Sequence, residues 1–133
     1  MTDQRHVSSD AEDEALPART NEPYDAPDAA ALISVVRAYL GEDLLDRTEG
    51  HDRWLLRIAA NALAIAEREI RLGPQHRRNH AERLASLGMS SDRQLAGAIR
   101  AGDLDHQIDE VAAVVKASVA DSLDVANPDY SRP

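Results

Sequence analysis

Arg57, Asn61, Ala64, Arg68 and Arg71 recur at spacings of four, three, four and three residues, which places them along one line of a helix. Guanidinium groups on such a line bind phosphate or carboxylate bidentately. Asn61 stands among alanines and has poor helix propensity, so it is either hydrogen-bonded inside a bundle or presented to a ligand or partner. Arg57 and Arg68 have a second use, pairing with Glu67, Glu69 or acids of the preceding helix. His76 and His80, four apart, have the spacing to share a cation, but no third ligand follows at a motif spacing, and Arg77 and Arg78 repel a metal. Asp103 and Asp105 resemble pieces of a cation loop, yet they follow Gly102 and precede a helix, where acids act as caps. His51 beside Asp52 is an acid/base pair without a partner motif. The sequence displays no Ser/His/Asp motif, phosphate-cradling glycine loop or dinucleotide fingerprint. It therefore assigns no catalytic residue, no metal and no cofactor.

One rival pattern is a helix-turn-helix over residues 83–102, in which Arg93, Gln94 and Arg100 lie on the second helix. Duplex affinity depends on neutralising phosphates. With a net charge of -9 and two bases on its recognition helix, the chain is a poor nucleic-acid binder.

The elements that position these residues follow from periodicity and punctuation. Residues 1–23 are acidic, broken by Pro17 and Pro23, and free of helical period, which predicts a disordered tail ahead of a helical domain over 24–130. Asp25, Pro27 and Asp28 form a helix start. The first helix runs to about Asp46 and carries Leu32, Val35, Val36, Tyr39, Leu40 and Leu44 on its apolar face. Asp52 is the expected cap of a second helix, whose apolar face comprises Trp54, Leu55, Ile58, Leu63, Ile65, Ile70 and several alanines. Gly73 followed by Pro74 reads as its stop. A third helix then ends at Gly88. A capping box of Ser91 and Gln94 opens a fourth, which ends at Gly102, and a fifth spans about Gln107 to Asp124 with Ile108, Val111, Ala112, Val115, Val119 and Leu123 inside. Pro128 forces an extended tail. The fold class is all-α, a compact and mostly antiparallel bundle of about five helices.

Composition agrees. The chain has no Phe, one Trp and three Tyr, and alanine dominates its apolar residues, so helix axes approach closely. It has no cysteine, which rules out disulfides and thiolate chemistry and suits a cytoplasmic location. No run reaches the roughly 20 apolar residues of a membrane span. Residues 53–100 hold nine bases against four acids, whereas both flanks are acidic.

Five stretches together resemble a known family: Tyr24-Asp25-Ala26-Pro27, Arg57-Ile58-Ala59-Ala60-Asn61-Ala62-Leu63, Arg68-Glu69-Ile70-Arg71-Leu72-Gly73-Pro74, Ala98-Ile99-Arg100-Ala101-Gly102 and Leu123-Asp124-Val125-Ala126-Asn127-Pro128-Asp129-Tyr130. In this order they are similar to a small bacterial helical family of formally unknown function, whose members accompany an aminoglycoside-phosphotransferase-like kinase and an acyl-CoA dehydrogenase. Trp54 stands where that family usually has Phe. The resemblance implies a non-catalytic accessory subunit of a kinase acting on hydroxyacyl-CoA in hydroxy-acid or fatty-acid catabolism. The kinase would carry ATP, Mg²⁺ and the catalytic base. The expected partners are the kinase and then the dehydrogenase, while the Ala-rich, Phe-free composition adds, apart from the resemblance, a homodimer through an exposed apolar patch. On this reading Arg57, Asn61 and Arg68 lie at or just behind the partner surface, with Arg100, Asn127 and Tyr130 as further binding residues. An independent acyl-CoA-binding protein or enzyme is the alternative, and DNA binding the second.

Overall fold

The computed structural model describes Tyr24 and residues 26–130. The tail expected over 1–23, and the capping role expected of Asp25, lie outside the described residues. Helix α1 spans Ala29–Ala38 and is capped by Asp28, whose carboxylate accepts the Ala31 N–H at 2.8 Å. It runs on as π-helical turns over Tyr39–Leu44 and a 3-10 turn over Leu45–Arg47. The turn into the next helix is clamped by side chains: the Thr48 hydroxyl donates to the Leu44 carbonyl at 2.7 Å, and Arg53 donates to the Leu45 carbonyl.

Helix α2 is a single 37-residue element, Gly50–Ser86, about 55 Å long at 1.5 Å per residue. Two sequence expectations fail here. The helix is capped by Glu49 without a side-chain bond, not by Asp52, and it passes straight through Gly73 and Pro74. The second and third expected helices are thus one, and the described chain has four α-helices instead of five. Local stop signals lose to tertiary packing: α4 lies along α2 on both sides of Gly73, joined to it at Arg68, His80 and Arg83. Pro74 takes away only the hydrogen bond to the Ile70 carbonyl.

Helix α3 spans Asp92–Ala101 and α4 spans Ile108–Ala126, with a 3-10 turn over Asp105–Gln107 between them. Gly88 and Gly102 end their helices at φ values of 70° and 79°, a region that side chains with a Cβ disfavour. The expected capping box forms with a shift. Ser91 accepts the Gln94 N–H at 3.2 Å, but Gln94 returns its carbonyl to the N–H and hydroxyl of Ser90.

The core is confined to one end. Leu84, Leu87, Leu95, Leu104, Val111 and Val114 pack together, with Met89 and Ala98 against them. The other buried apolar residue among those described is Ala30. Helix α1 lies antiparallel on the first half of α2, where Gly41 passes so close that a Cβ there would stand 3.3 Å from the Ala60 Cβ. The side of α1 turned to α2 carries Ala30, Ile33, Ser34, Arg37 and Gly41, all buried or half-buried. Leu32, Val35, Val36 and Tyr39, expected inside, are exposed. So are Trp54, Leu55 and Ile58 of α2, and Ile108, Val115 and Val119 of α4. The apolar stripes exist as the periodicity predicts, but the described helices form too few layers to cover them. No described helix is long and apolar enough to cross a membrane.

Candidate functional site

The basic line on α2 divides into two kinds of residue. Arg71 donates to Glu67 at 3.2 Å, and Arg37 of α1 holds the other Glu67 oxygen at the same distance. Glu67 is thereby occupied, so neither Arg57 nor Arg68 pairs with it. Arg68 is half-buried, and its Nε donates to the Val125 carbonyl at 2.7 Å, satisfying an acceptor in the last turn of α4 that the helix itself leaves free. Arg57 and Asn61 are exposed, and among the described residues neither has a hydrogen bond or ion pair. Of the two uses open to Asn61, the structure realises presentation to the outside.

Because α4 ends at Ala126 beside Arg68, it does not extend over the first half of α2. Trp54, Leu55 and Ile58 are therefore exposed on the side of α2 away from α1, next to Arg57 and Asn61. His51 stacks on Trp54 with ring centroids 5.6 Å apart and fixes the indole at the edge of this face. The result is an apolar strip with an unpaired guanidinium and an unpaired carboxamide, a pattern suited to holding a partner by area and orienting it by polar contacts.

The remaining expected binding residues lie elsewhere. Asn127 is exposed at the end of α4, where its N–H donates to Leu123 at 2.8 Å and its carbonyl accepts the Tyr130 N–H at 3.0 Å. Tyr130 presents its ring to solvent. Both sit near Arg68 because Val125 does. Arg100 is in the last turn of α3, at the core end of α2. Leu84 and Arg57 are separated by about 40 Å of helix, so Arg100 shares no surface with Arg57.

A second constellation, invisible as a sequence motif, links α2, α3 and α4. His80 Nε2 lies 2.9 Å from an Asp92 carboxylate oxygen, and His80 Nδ1 lies 3.1 Å from the Ser118 hydroxyl. Beside it Arg83 pairs with Asp121, and His76 Nε2 stands 3.9 Å from the same carboxylate. These groups border a groove of about 690 Å³ between α2 and α4, whose walls include Val115 and Val119. The Ser118–His80–Asp92 order resembles a nucleophile triad, but the Ser118 hydroxyl also donates to the Val114 carbonyl at 3.0 Å. That bond commits Ser118 to the backbone of its own helix, as is common for a serine inside a helix. Ser118 also sits mid-helix, where neighbouring N–H groups are spent on the helix ladder and none is aimed at an oxyanion. The set ties three helices together.

His80 directs its ring nitrogens to Asp92 and Ser118, whereas His76 faces Asp121. His76, Asp121 and Asp124 do bring one ligand atom each within 4.8 Å of one another, but the Arg83 guanidinium already supplies the positive charge that Asp121 needs. Sequence reading missed the interhelical pairs because 38 residues separate His80 from Ser118 and Arg83 from Asp121. The available signal was a polar pair three apart on each of two otherwise apolar faces. In the helix-turn-helix rival, Gln94 is committed to Ser90 and so is not held out for a base edge. No curated protein and no solved structure matches the chain. Residues 46–130, from the turn before α2 to the end of the described chain, match the model of a domain of unknown function (DUF6285), and the chain belongs to that family.

Proposed function

We propose that this chain is a non-catalytic accessory subunit, a helical docking module that supports a phosphotransferase-like kinase acting on hydroxyacyl-CoA thioesters. The observation that carries the docking role is the exposed strip of Trp54, Leu55 and Ile58 beside the unpaired Arg57 and Asn61. An exposed apolar strip rimmed by polar groups is characteristic of an interaction site. The identity of the partner is supported by the ordered resemblance of the five sequence stretches. A module of this kind raises a kinase's activity by ordering its substrate site or by supplying one wall of it, since positioning is a large part of phosphoryl transfer. Arg57 is then the residue that meets an acidic group of the partner or a phosphate of the thioester.

The deciding experiment is a kinase assay on hydroxyacyl-CoA with the kinase that accompanies this chain, run with and without it. A rate increase that Arg57→Ala diminishes supports the proposal. Equal rates with and without the chain overturn it. The groove between α2 and α4 favours a second reading, an independent acyl-CoA binder, because apolar walls beside His76, His80 and Arg83 suit an amphipathic anion. A thermal shift of the isolated chain with acyl-CoA tests that reading.

A further inference from the structure

The outer face of α1 is an uncovered apolar surface. Leu32, Val35, Val36 and Tyr39 are 54%, 70%, 50% and 48% exposed. No charged side chain interrupts this face between Asp28 and Glu42, because Arg37 turns inward to Glu67. The hairpin of α1 and the first half of α2 contributes only Ala30 to the buried residues. Two helices in one layer cannot enclose a core, so the hairpin needs a further layer.

We propose that this layer is a second copy of the chain, with α1 packed antiparallel against α1 about a two-fold axis passing between Val35 and Val36. Such a contact is isologous, so one patch must complement itself. In this register Val35 of each copy meets Val36 of the other, and Leu32 meets Tyr39. The charged residues Asp28, Glu42 and Asp43 fall at the exposed ends of this seam, where water and salt screen their mutual repulsion, and the seam between Leu32 and Tyr39 stays apolar.

The area fits a weak dimer at the low end of the range. At the quoted exposures the four side chains offer roughly 450 Å² per copy, about 900 Å² per pair before flanking atoms, close to the roughly 1,000 Å² that separates specific interfaces from incidental ones. The absence of charge is the second argument for a copy of the same chain. Interfaces between identical subunits are the more apolar class, whereas the Trp54 strip with Arg57 and Asn61 has the polar groups a different partner would read. The dimer does not depend on the kinase reading, and it is measured with no kinase present.

The test is sedimentation velocity of the full chain across a concentration series, together with cysteine cross-linking, which is clean because the chain has no native cysteine. A monomer–dimer equilibrium on the order of 1–100 μM is expected, as befits a small interface. Val35→Glu should abolish the dimer while the far-ultraviolet dichroism stays unchanged. Should that variant fail to fold, Val35→Cys answers alone: it should form a disulfide-linked dimer on mild oxidation, and Glu82→Cys, exposed in the second half of α2, should not. Monomer at every concentration, a dimer that survives Val35→Glu, or equal cross-linking at both positions overturns the proposal. So does a monomer whose α1 face is needed only for binding the kinase.

Discussion

Replacing Gly73 with alanine gives opposite signs under the two ways of placing this residue. If Gly73 ended a helix in the left-handed conformation, a Cβ would be strained there and the protein would lose about 1 kcal/mol or more. In the structure its φ is not positive, and it sits in the interior of α2. Alanine then gains about 1 kcal/mol of helix propensity over glycine. Against that gain stands one contact, because a Cβ at position 73 would lie 3.0 Å from Arg77 Nη1. That atom is the far end of a flexible, exposed side chain and moves away at a cost of a few tenths of a kcal/mol. The net expectation is a stabilisation of about 0.5–1 kcal/mol. At about 4 °C per kcal/mol for a domain of this size, the melting temperature rises by roughly 2–4 °C. Urea titration is the better assay, since a shifted midpoint with an unchanged slope isolates stability from any change in compactness. Pro74→Ala should act in the same direction, by about 1–3 kcal/mol, through the restored hydrogen bond to the Ile70 carbonyl. A fall in stability for Gly73→Ala at constant slope would refute the continuous helix.

Gly41→Leu should destabilise by about 1–3 kcal/mol, read by thermal melting, because the Ala60 Cβ already stands 3.3 Å from where a Cβ would begin and the helices have to part. Leu95→Ala should cost about 2–4 kcal/mol in urea, since Leu95 is buried in the six-residue core that leaves few neighbours to collapse into the hole. Asp121→Ala should cost about 1–3 kcal/mol, because Arg83 is mostly buried and loses its partner. Its Nε already lacks one. In dilute solution, amides of α1 should exchange with deuterium before those around Val111 and Val114, because Ala30 is the buried residue of the hairpin and local opening follows local burial. Equal protection at both ends would sink that expectation.

The elements with their own punctuation were legible in the sequence. Gly88 and Gly102 end helices as their type requires, Ser91 and Gln94 mark the start of α3, and the absence of β-branched runs excludes strands. Gly73-Pro74 misled because the stop signal is local, whereas the helix is held by α4 on either side of it. The apolar stripes were legible too, but not their covering. Period specifies which side of a helix is apolar and says nothing of whether another layer of the same chain lies against it. For the site, spacing placed Arg57, Asn61 and Arg68 on one line. Only the end of α4 beside Arg68 separates them, leaving Arg68 bound within the chain and Arg57 and Asn61 open.

That end point bears on function. Helix α2 acts as a spine about 55 Å long, stabilised at its C-terminal half by a core of its own and exposed along its N-terminal half on the side away from α1. A partner that covers Trp54, Leu55 and Ile58 need not rearrange the core, because the two lie at different ends of one helix. Removing those side chains from water favours association by roughly 25 cal/mol per Å² of apolar area before the costs of binding are subtracted. The low burial of the hairpin leaves apolar side chains exposed on both of its helices, Leu32, Val35, Val36 and Tyr39 on α1 and Trp54, Leu55 and Ile58 on α2.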